Sequence, residues 1–426
     1  MLGRNPFTRL RGGLFADRNF FLIWSAASVS AFGYYITDVA VPLLAIDQLD
    51  ASAFEVGLIR VVEQAPSLLF GLFLGVLVDR VRKRQLLIWS DVIRSLALLA
   101  VPIAAATGHL SIALLCAVVF VMGTFNLLFD IADGSFMPIV LGRERLIDGN
   151  AKVEASYAAA QLGGPAVGGA LVSLLTAPYA LLVTAVSLFT SANFIRKMDT
   201  VEPAPVVAEK GSVLRDIRSG FRFVMQNQLM RLVILAGAGM SFFGYMFLAV
   251  YILYMKRNLG ISDFEVGLVF ALGGLGSLIG TTLTPAINNR IGVGPTATLG
   301  AVLFGATGML IPLAALRPDE ALRLVFAAEF LQYLFFMPFF LNALTIVQLQ
   351  SPDALRGRIM STRKFLTWGV QPFGSLAGGI TGGLISLPWT LALSEFGMLA
   401  VGIWLAITPL RHMRVIPELE GASADA

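Results

Sequence analysis

Apolar residues form long runs along the whole chain, and short polar segments separate them. Each run holds about 20 residues, enough for a helix to cross a hydrocarbon core of about 30 Å. Lipid offers no partner for exposed peptide groups, so these runs are predicted to be helices. We expect twelve spans, at residues 20–46, 54–78, 85–106, 111–137, 150–175, 177–195, 230–255, 263–288, 295–315, 322–347, 358–386 and 390–408.

Two of these spans begin with the same five residues. Residues 54–58 and 264–268 both read Phe-Glu-Val-Gly-Leu, and each set follows a small polar loop. The repeat predicts two related six-helix halves, at residues 1–195 and 230–410. Twofold repetition in a helical membrane protein is typical of secondary transporters, whose substrate path lies between the halves.

The segment between the halves, residues 196–229, is predicted to be a cytoplasmic linker, and residues 411–426 a cytoplasmic tail. Apolar positions recur on one helical face between Val213 and Met225, whereas Arg215, Arg218 and Arg222 lie on another. This pattern predicts an amphipathic helix that lies on an anionic membrane surface.

Composition narrows the class of protein. The chain is 57% hydrophobic and 14% charged, against about 25% charged residues in a soluble domain. Its one cysteine, Cys116, excludes a disulfide within the chain, and its two histidines give no metal site. No phosphate-binding loop with a Gly-Lys-Ser/Thr ending is present. We expect no metal, no cofactor, no enzyme activity and no nucleic-acid partner.

The basic residues predict the orientation. Lys and Arg number 25 in the segments on one side of the predicted spans and 4 on the other. Because cytoplasmic loops carry the excess of Lys and Arg, both termini are predicted to be cytoplasmic. We expect a multi-pass protein in the inner membrane of a prokaryote.

The turn after the second span carries a recognisable motif. Residues 75–87 read Gly-Val-Leu-Val-Asp-Arg-Val-Arg-Lys-Arg-Gln-Leu-Leu, which resembles the loop motif of the major facilitator superfamily. Arg82 stands where that family has a second Gly. The resemblance implies a cytoplasmic latch between the halves, whereas a basic loop that only sets the orientation is the alternative. The latch residues would be Gly75, Asp79, Arg80, Lys83, Arg84, Asp91 and Arg94.

The fifth span contains a second family-like element, Gly164-Pro165-Ala166-Val167-Gly168-Gly169. It resembles the Gly-Pro element of the antiporter branches, and packing of small residues is the alternative. Residues 129–133, 142–146 and 355–358 are similar to drug and siderophore exporters of the macrolide-efflux and enterobactin-export type. The resemblance implies a twelve-helix fold and proton antiport, although the fourth span lacks the Arg-x-x-x-Gly element of some proton-coupled exporters.

Charged residues inside the spans are functional candidates by default. Counted in residues from the outer ends of their helices, Asp38, Arg60 and Glu63 lie at similar depths and can meet near the outer side of the membrane. Glu329 lies at a similar depth in the second half. These four could carry or displace a proton, and a static ion pair is the alternative. Asp130 is a further proton candidate. It belongs to the charged residues near the cytoplasmic ends of the third and fourth spans, for which we favour a structural role as part of the latch. Glu154 and Glu395 are interpreted as interfacial, near span ends.

Aromatic residues cluster in three spans. Candidates for lining a substrate cavity are Tyr34, Tyr35, Phe243, Tyr245, Tyr333 and Phe336.

These features together predict an all-α membrane protein with a major facilitator fold, acting as a monomer. We expect it to export an amphipathic small molecule, such as a drug, natural product or siderophore, by proton antiport with alternating access. Its partners would be the substrate, membrane lipids and protons. A lipid or lysolipid flippase, an ion-coupled importer of a polar solute and a non-transporting receptor are the alternatives.

Overall fold

A computed structural model describes residues 14–200, 202, 213–352 and 355–417, and they form helices without any strand. Within these ranges the side chains of residues 72–73, 75–77, 79–80, 142–144, 147 and 213–218 are left out. The helices are α1 (Arg18–Leu49), α2 (Ala53–Arg80), α3 (Lys83–Ala106), α4 (Ile112–Leu175), α5 (Ala177–Arg196), α6 (Val213–Gln226), α7 (Gln228–Arg257), α8 (Asp263–Ile291), α9 (Val293–Gly308), α10 (Ala321–Leu349), α11 (Arg356–Trp368), α12 (Gln371–Leu384) and α13 (Leu387–Ile407). Short helical turns are Leu14–Ala16, Leu310–Leu313, Ala314–Leu316, Pro318–Glu320 and Pro409–His412.

Most of the predicted spans coincide with long apolar helices. Among the described residues, ten helical segments are long and apolar enough to cross a membrane. Helix α2 and the pair α11 and α12 occupy the second and eleventh predicted spans. The all-helical, multi-pass prediction is therefore confirmed.

Two boundaries differ from the prediction. The turn expected between the fourth and fifth spans is helical, so α4 runs unbroken for 64 residues. Residues 143–148 contain neither Gly nor Pro, and most of their residue types favour a helix. The eleventh span is divided between α11 and α12, because Pro372 in the first turn of α12 has no N–H to continue the hydrogen bonding.

The repeated pentapeptide marks two equivalent helix starts. The Glu55 carboxylate accepts hydrogen bonds from the Ser52 N–H and hydroxyl, both at 2.8 Å. The Glu265 carboxylate accepts the same two bonds from Ser262, at 2.9 and 2.6 Å. Each serine hydroxyl also accepts the N–H of its glutamate. Such reciprocal caps satisfy donors that a helix start leaves free, which explains why the glutamate recurs in the repeat.

The chain folds into two compact units. The first contains Met1–Leu49 and Ala65–Glu209, and the second contains Asp50–Gln64 and Lys210–Ala426. In the first unit α1 and α3 both pack against α4 and α5. In the second unit α10 packs against α8 and α9, and α7 packs against α12 and α13.

Glycines bring α8 close to α10 in the second unit. A Cβ on Gly276 would overlap the Phe330 carbonyl oxygen, and one on Gly273 would lie 2.9 Å from the Tyr333 ring and 3.1 Å from Glu329. Small residues allow two membrane helices to approach at backbone distance. The approach holds Glu329 against the α8 backbone and so positions the site described next.

Candidate functional site

A cavity of about 380 Å³ lies within the second unit. Helices α7 to α13 all contribute to its wall, which is mostly apolar and rich in aromatic rings. Its aromatic lining includes Tyr245, Phe247, Phe270, Phe304, Tyr333 and Phe336. The volume falls within the range of about 300–1,000 Å³ that small-molecule sites occupy. The wall can therefore hold the apolar body of a small molecule.

A buried carboxylate contributes to this wall. Glu329 on α10 is 2% exposed, and its Oε2 accepts a hydrogen bond from the Tyr251 hydroxyl at 2.9 Å. Tyr251 on α7 is itself fully buried. A carboxylate with one neutral donor, inside a membrane span, is an expensive arrangement that usually marks a functional residue. Of the sequence-predicted proton candidates in the second unit, Glu329 is the one that lines the cavity.

A second buried carboxyl lies behind the wall, and its position corrects the sequence interpretation. Glu395 was expected at a span end but lies eight residues into α13 and is 0% exposed. Its Oε1 accepts a hydrogen bond at 2.8 Å from Nε2 of Gln332, which lines the cavity. Its Oε2 is buried without a hydrogen-bond partner among the described residues. A predicted span that begins at Leu387 would have placed Glu395 well inside the membrane.

A cation also contributes to the wall. Arg363 on α11 was counted among the cytoplasmic basic residues of the sequence, yet the structure places it in the cavity lining. Thr367, Trp368 and Gln371 follow it along the chain and line the same cavity. Among the described lining residues, Glu329 and Arg363 carry the two formal charges. The sequence pattern did not identify Arg363 as a cavity residue, because the basic residues at the start of the same helix made it look like part of a cytoplasmic loop.

The predicted aromatic residues divide into three groups. Tyr245, Tyr333 and Phe336 line the cavity. Phe243 lies elsewhere in the second unit, where its ring packs directly over Gly397 of α13. Tyr34 and Tyr35 belong to the first unit, where their rings are 5.3 Å apart in an edge-on arrangement.

The other proton candidates lie in different units. In the second unit, Arg60 Nη1 donates to Glu63 Oε2 at 3.1 Å. Asp38 is half-buried in the first unit, beside Tyr35. The expected meeting of these three residues in one layer stays a prediction. Asp130 is exposed on α4, one turn from Asp133, whose Oδ1 is buried without a hydrogen-bond partner among the described residues.

The predicted latch residues whose contacts the structure describes fall into two clusters of the first unit. Arg94, buried on α3, donates to Asp91, to Asn126 and, at 3.3 Å, to Ser30, with its guanidinium 4.7 Å from the centre of the Phe129 ring. This network ties α3 to α1 and α4. The side chains of Gly75, Asp79 and Arg80 lie outside those that the structure describes.

The second latch cluster surrounds the start of α3. Glu202 accepts hydrogen bonds from the backbone N–H groups of Lys83 at 2.6 Å and Arg84 at 3.3 Å. The Arg84 guanidinium donates to the carbonyl oxygens of Ile195 at 3.2 Å and Arg196 at 2.7 Å. A carboxylate at a helix start and a cation at a helix end both complement the helix dipoles. The cluster therefore joins α3 to the end of α5.

The Gly-Pro element packs α4 against α1. Gly164, Pro165, Gly168 and Gly169 are all buried. A Cβ on Gly164 would lie 2.5 Å from the Tyr35 side chain, and one on Gly168 would lie 3.1 Å from Ile36 Cα. Close helix packing thus accounts for these glycines, with or without a role in antiport.

The sequence matches a family of membrane proteins along nearly its whole length. The model of the transmembrane secretion effector family matches residues 13–420. The multidrug efflux pump Tap of Mycolicibacterium fortuitum is 26% identical over 403 residues, covering 91% of this chain and 95% of the pump. The enterobactin exporter EntS of Escherichia coli is 25% identical over 420 residues, covering 94% of each chain.

Solved transporter structures share the fold. A bacterial homologue of the iron transporter ferroportin, in its inward-facing state, has a TM-score of 0.73 at 16% identity and covers 93% of this chain and all of its own. The nucleoside transporter NupG has a TM-score of 0.75 at 10% identity, covering 91% of this chain and 98% of its own. At these identities the likeness shows the fold alone, and the predicted fold is confirmed.

Proposed function

Because this chain belongs to the transmembrane secretion effector family of the major facilitator superfamily, we propose that it exports amphipathic small molecules and is driven by inward proton flow. It is a multi-pass membrane transporter and not an enzyme. We place it in the inner membrane with both termini in the cytoplasm. The efflux pump and the exporter to which it is similar support the outward direction.

The combination of an aromatic cavity with a buried carboxylate carries this proposal. The rings of Tyr245, Tyr333 and Phe336 offer an apolar surface to a substrate body. Glu329 supplies one titratable group in the same wall, held by Tyr251. A substrate and a proton that share one wall can exclude each other, which is the simplest physical basis for antiport.

The cycle would alternate access to this cavity. With the cavity open to the cytoplasm, Glu329 releases its proton and the substrate binds. With the cavity open to the outside, a proton binds to Glu329 and the substrate leaves. Inverted-repeat transporters achieve such exchange mainly by rocking one half against the other.

The test uses purified protein in liposomes with an internal pH dye and an imposed proton gradient. Lipophilic cations, macrolides, tetracyclines and siderophores are offered in turn, and both proton and substrate movement are recorded. We expect substrate-dependent proton movement in the wild type. Glu329→Gln should abolish gradient-driven accumulation while keeping substrate exchange at equal pH, because exchange needs no net proton transfer.

Matched variants locate the carrier. Asp38→Asn and Glu63→Gln test the two other proton candidates, and Glu320→Gln, an exposed residue, serves as control. If Glu329→Gln accumulates substrate like the wild type, Glu329 is not the carrier. Substrate movement without any proton movement in the wild type would overturn antiport and favour a flippase.

A further inference from the structure

Arg363 is a cavity residue that forms no ion pair among the described residues. Its Nε is buried and has no hydrogen-bond partner among the described residues. In the part of the chain that the structure describes, no ion pair joins Arg363 to an acidic side chain. Seven ion pairs between other residues occur in the same part. The Nε–H group therefore has no hydrogen-bond partner among the described residues, and the side chain that carries it lines the cavity.

An unpaired cation within a membrane span is costly. Arginines in spans usually pair with an acid or with carbonyl groups, as Arg94 does with Asp91. At Arg363 the structure supplies no such acid, so a ligand can supply the negative charge. The planar guanidinium fork suits oxyanions in particular, because it can donate two parallel hydrogen bonds to a carboxylate, sulfonate or phosphate.

The surroundings of Arg363 fit the rest of such a ligand. Trp368 and Gln371 lie five and eight residues further along the chain and line the same cavity. The Gln371 amide can donate a further hydrogen bond. The Trp368 ring, with the Lys364 ammonium 5.0 Å from its centre, offers an aromatic surface. The aromatic wall of α7 and α10 continues from there.

Glu329, the acid of the same cavity wall, forms no ion pair with Arg363 among the described residues. Its carboxylate accepts a hydrogen bond from the Tyr251 hydroxyl at 2.9 Å instead. An anion that enters the cavity can therefore be the partner of Arg363.

We propose that Arg363 binds the anionic group of the transported molecule, which is an amphiphile with one oxyanion and an aromatic or aliphatic body. The cavity of about 380 Å³ lies at the low end of the range for small-molecule sites, which fits a small amphiphile better than a two-chain lipid. That this molecule is transported rests on the proposed function, whereas the binding of an oxyanion by Arg363 does not.

Two fluorescent probes that differ in charge test the site. Anilinonaphthalene sulfonate and phenylnaphthylamine share the same aromatic body, and only the first carries a sulfonate. Binding is measured by energy transfer from Trp368 in full-length protein whose four other tryptophans are replaced by Phe. The protein is held in nanodiscs of phosphatidylcholine, with empty nanodiscs as the blank.

We expect the wild type to bind the anionic probe more tightly than the neutral one. Arg363→Gln should weaken the binding of the anionic probe by about tenfold or more, which corresponds to the loss of one charge-assisted hydrogen bond. The affinity for the neutral probe should stay unchanged. Arg363→Lys should restore part of the affinity, and Arg358→Gln, an exposed cation of the same helix, should change nothing. Equal affinity of Arg363→Gln and wild type for the anionic probe would overturn the proposal.

A lipid arm identifies the source of the anion. The titration is repeated in nanodiscs that contain anionic phosphatidylglycerol. Loss of probe binding there, while the neutral probe still binds, would show that a lipid headgroup occupies the Arg363 site and would contradict the small amphiphile proposed. Unchanged binding would support the small amphiphile. Probe binding needs no proton gradient, so failure of antiport and failure of this site give different results.

Discussion

One pair of buried polar side chains shows how closely the wall of the cavity is packed. The Gln332 amide faces the cavity and donates to Glu395, which lies behind it. Gly308 of α9 leaves the space that this pair occupies, since a Cβ there would overlap both Glu395 Oε2 and Gln332 Nε2. The glycine is thus required by its neighbours, because a buried carboxyl that loses its donor is costly.

Gly308→Ala should therefore destabilise the protein although alanine is the better helix former. We expect a loss of about 1–3 kcal/mol from overpacking, seen as a lower apparent melting temperature in detergent. The matched control is Gly383→Ala on α12, where an added Cβ meets nothing within 4 Å. That variant should be neutral or slightly more stable. Equal melting temperatures for the two variants would contradict the packing described.

At the scale of elements, a single acid from the segment after α5 fixes the start of α3. Helix α3 has Arg82 at its N-cap, whose side chain makes no capping hydrogen bond. Glu202 takes that role by accepting the N–H groups of Lys83 and Arg84. The contact spans 119 residues of sequence, so it joins the family motif after α2 to the beginning of the linker.

Replacing this acid should loosen the start of α3. We expect Glu202→Ala to cost about 1 kcal/mol, the usual value of a helix N-cap, and to lower the apparent melting temperature. Glu202→Gln keeps an acceptor but loses the charge, so it should cost less. The exposed residue Glu154 provides the comparison, because Glu154→Ala removes a carboxylate from the interior of α4, far from any helix start. A melting temperature that Glu202→Ala leaves unchanged would show that α3 starts without this contact.

At the scale of the whole molecule, the orientation in the membrane decides what the gradient can drive. The excess of Lys and Arg on one side predicts cytoplasmic termini. Under that orientation the turn at Asn258, which ends α7, faces outwards, whereas Lys197 at the end of α5 faces the cytoplasm. Both residues are exposed in the structure.

Cysteine labelling tests this orientation. Cys116, the one cysteine of the chain, is first replaced in Cys116→Ser. In that background a membrane-impermeant maleimide applied to intact spheroplasts should label Asn258→Cys and spare Lys197→Cys until the membrane is permeabilised. The opposite pattern would invert the predicted topology and with it the direction of proton-driven transport.

The pattern of apolar runs was sufficient for the fold class and for most helix positions. A run of apolar residues and a reciprocal Ser–Glu cap are local signals, and they act before any tertiary contact forms. The same reasoning misjudged residues 143–148, where charged residues predicted a turn and the structure is helical. Charge indicates contact with water or with a partner, and it does not end a helix by itself.

The candidate site was only partly predictable. The pattern of residues was enough to show that the chain is helical, crosses the membrane repeatedly and carries Glu329 and several aromatic rings inside its spans. It could not separate Phe243, which packs between helices, from Tyr333, which lines the cavity as predicted. It also could not assign Glu395 to the protein interior or Arg363 to the cavity. Those assignments depend on how each helix is rotated and on which neighbour it meets. In a membrane span nearly every position is apolar, so the face that turns inward is decided by packing between helices and not by hydropathy.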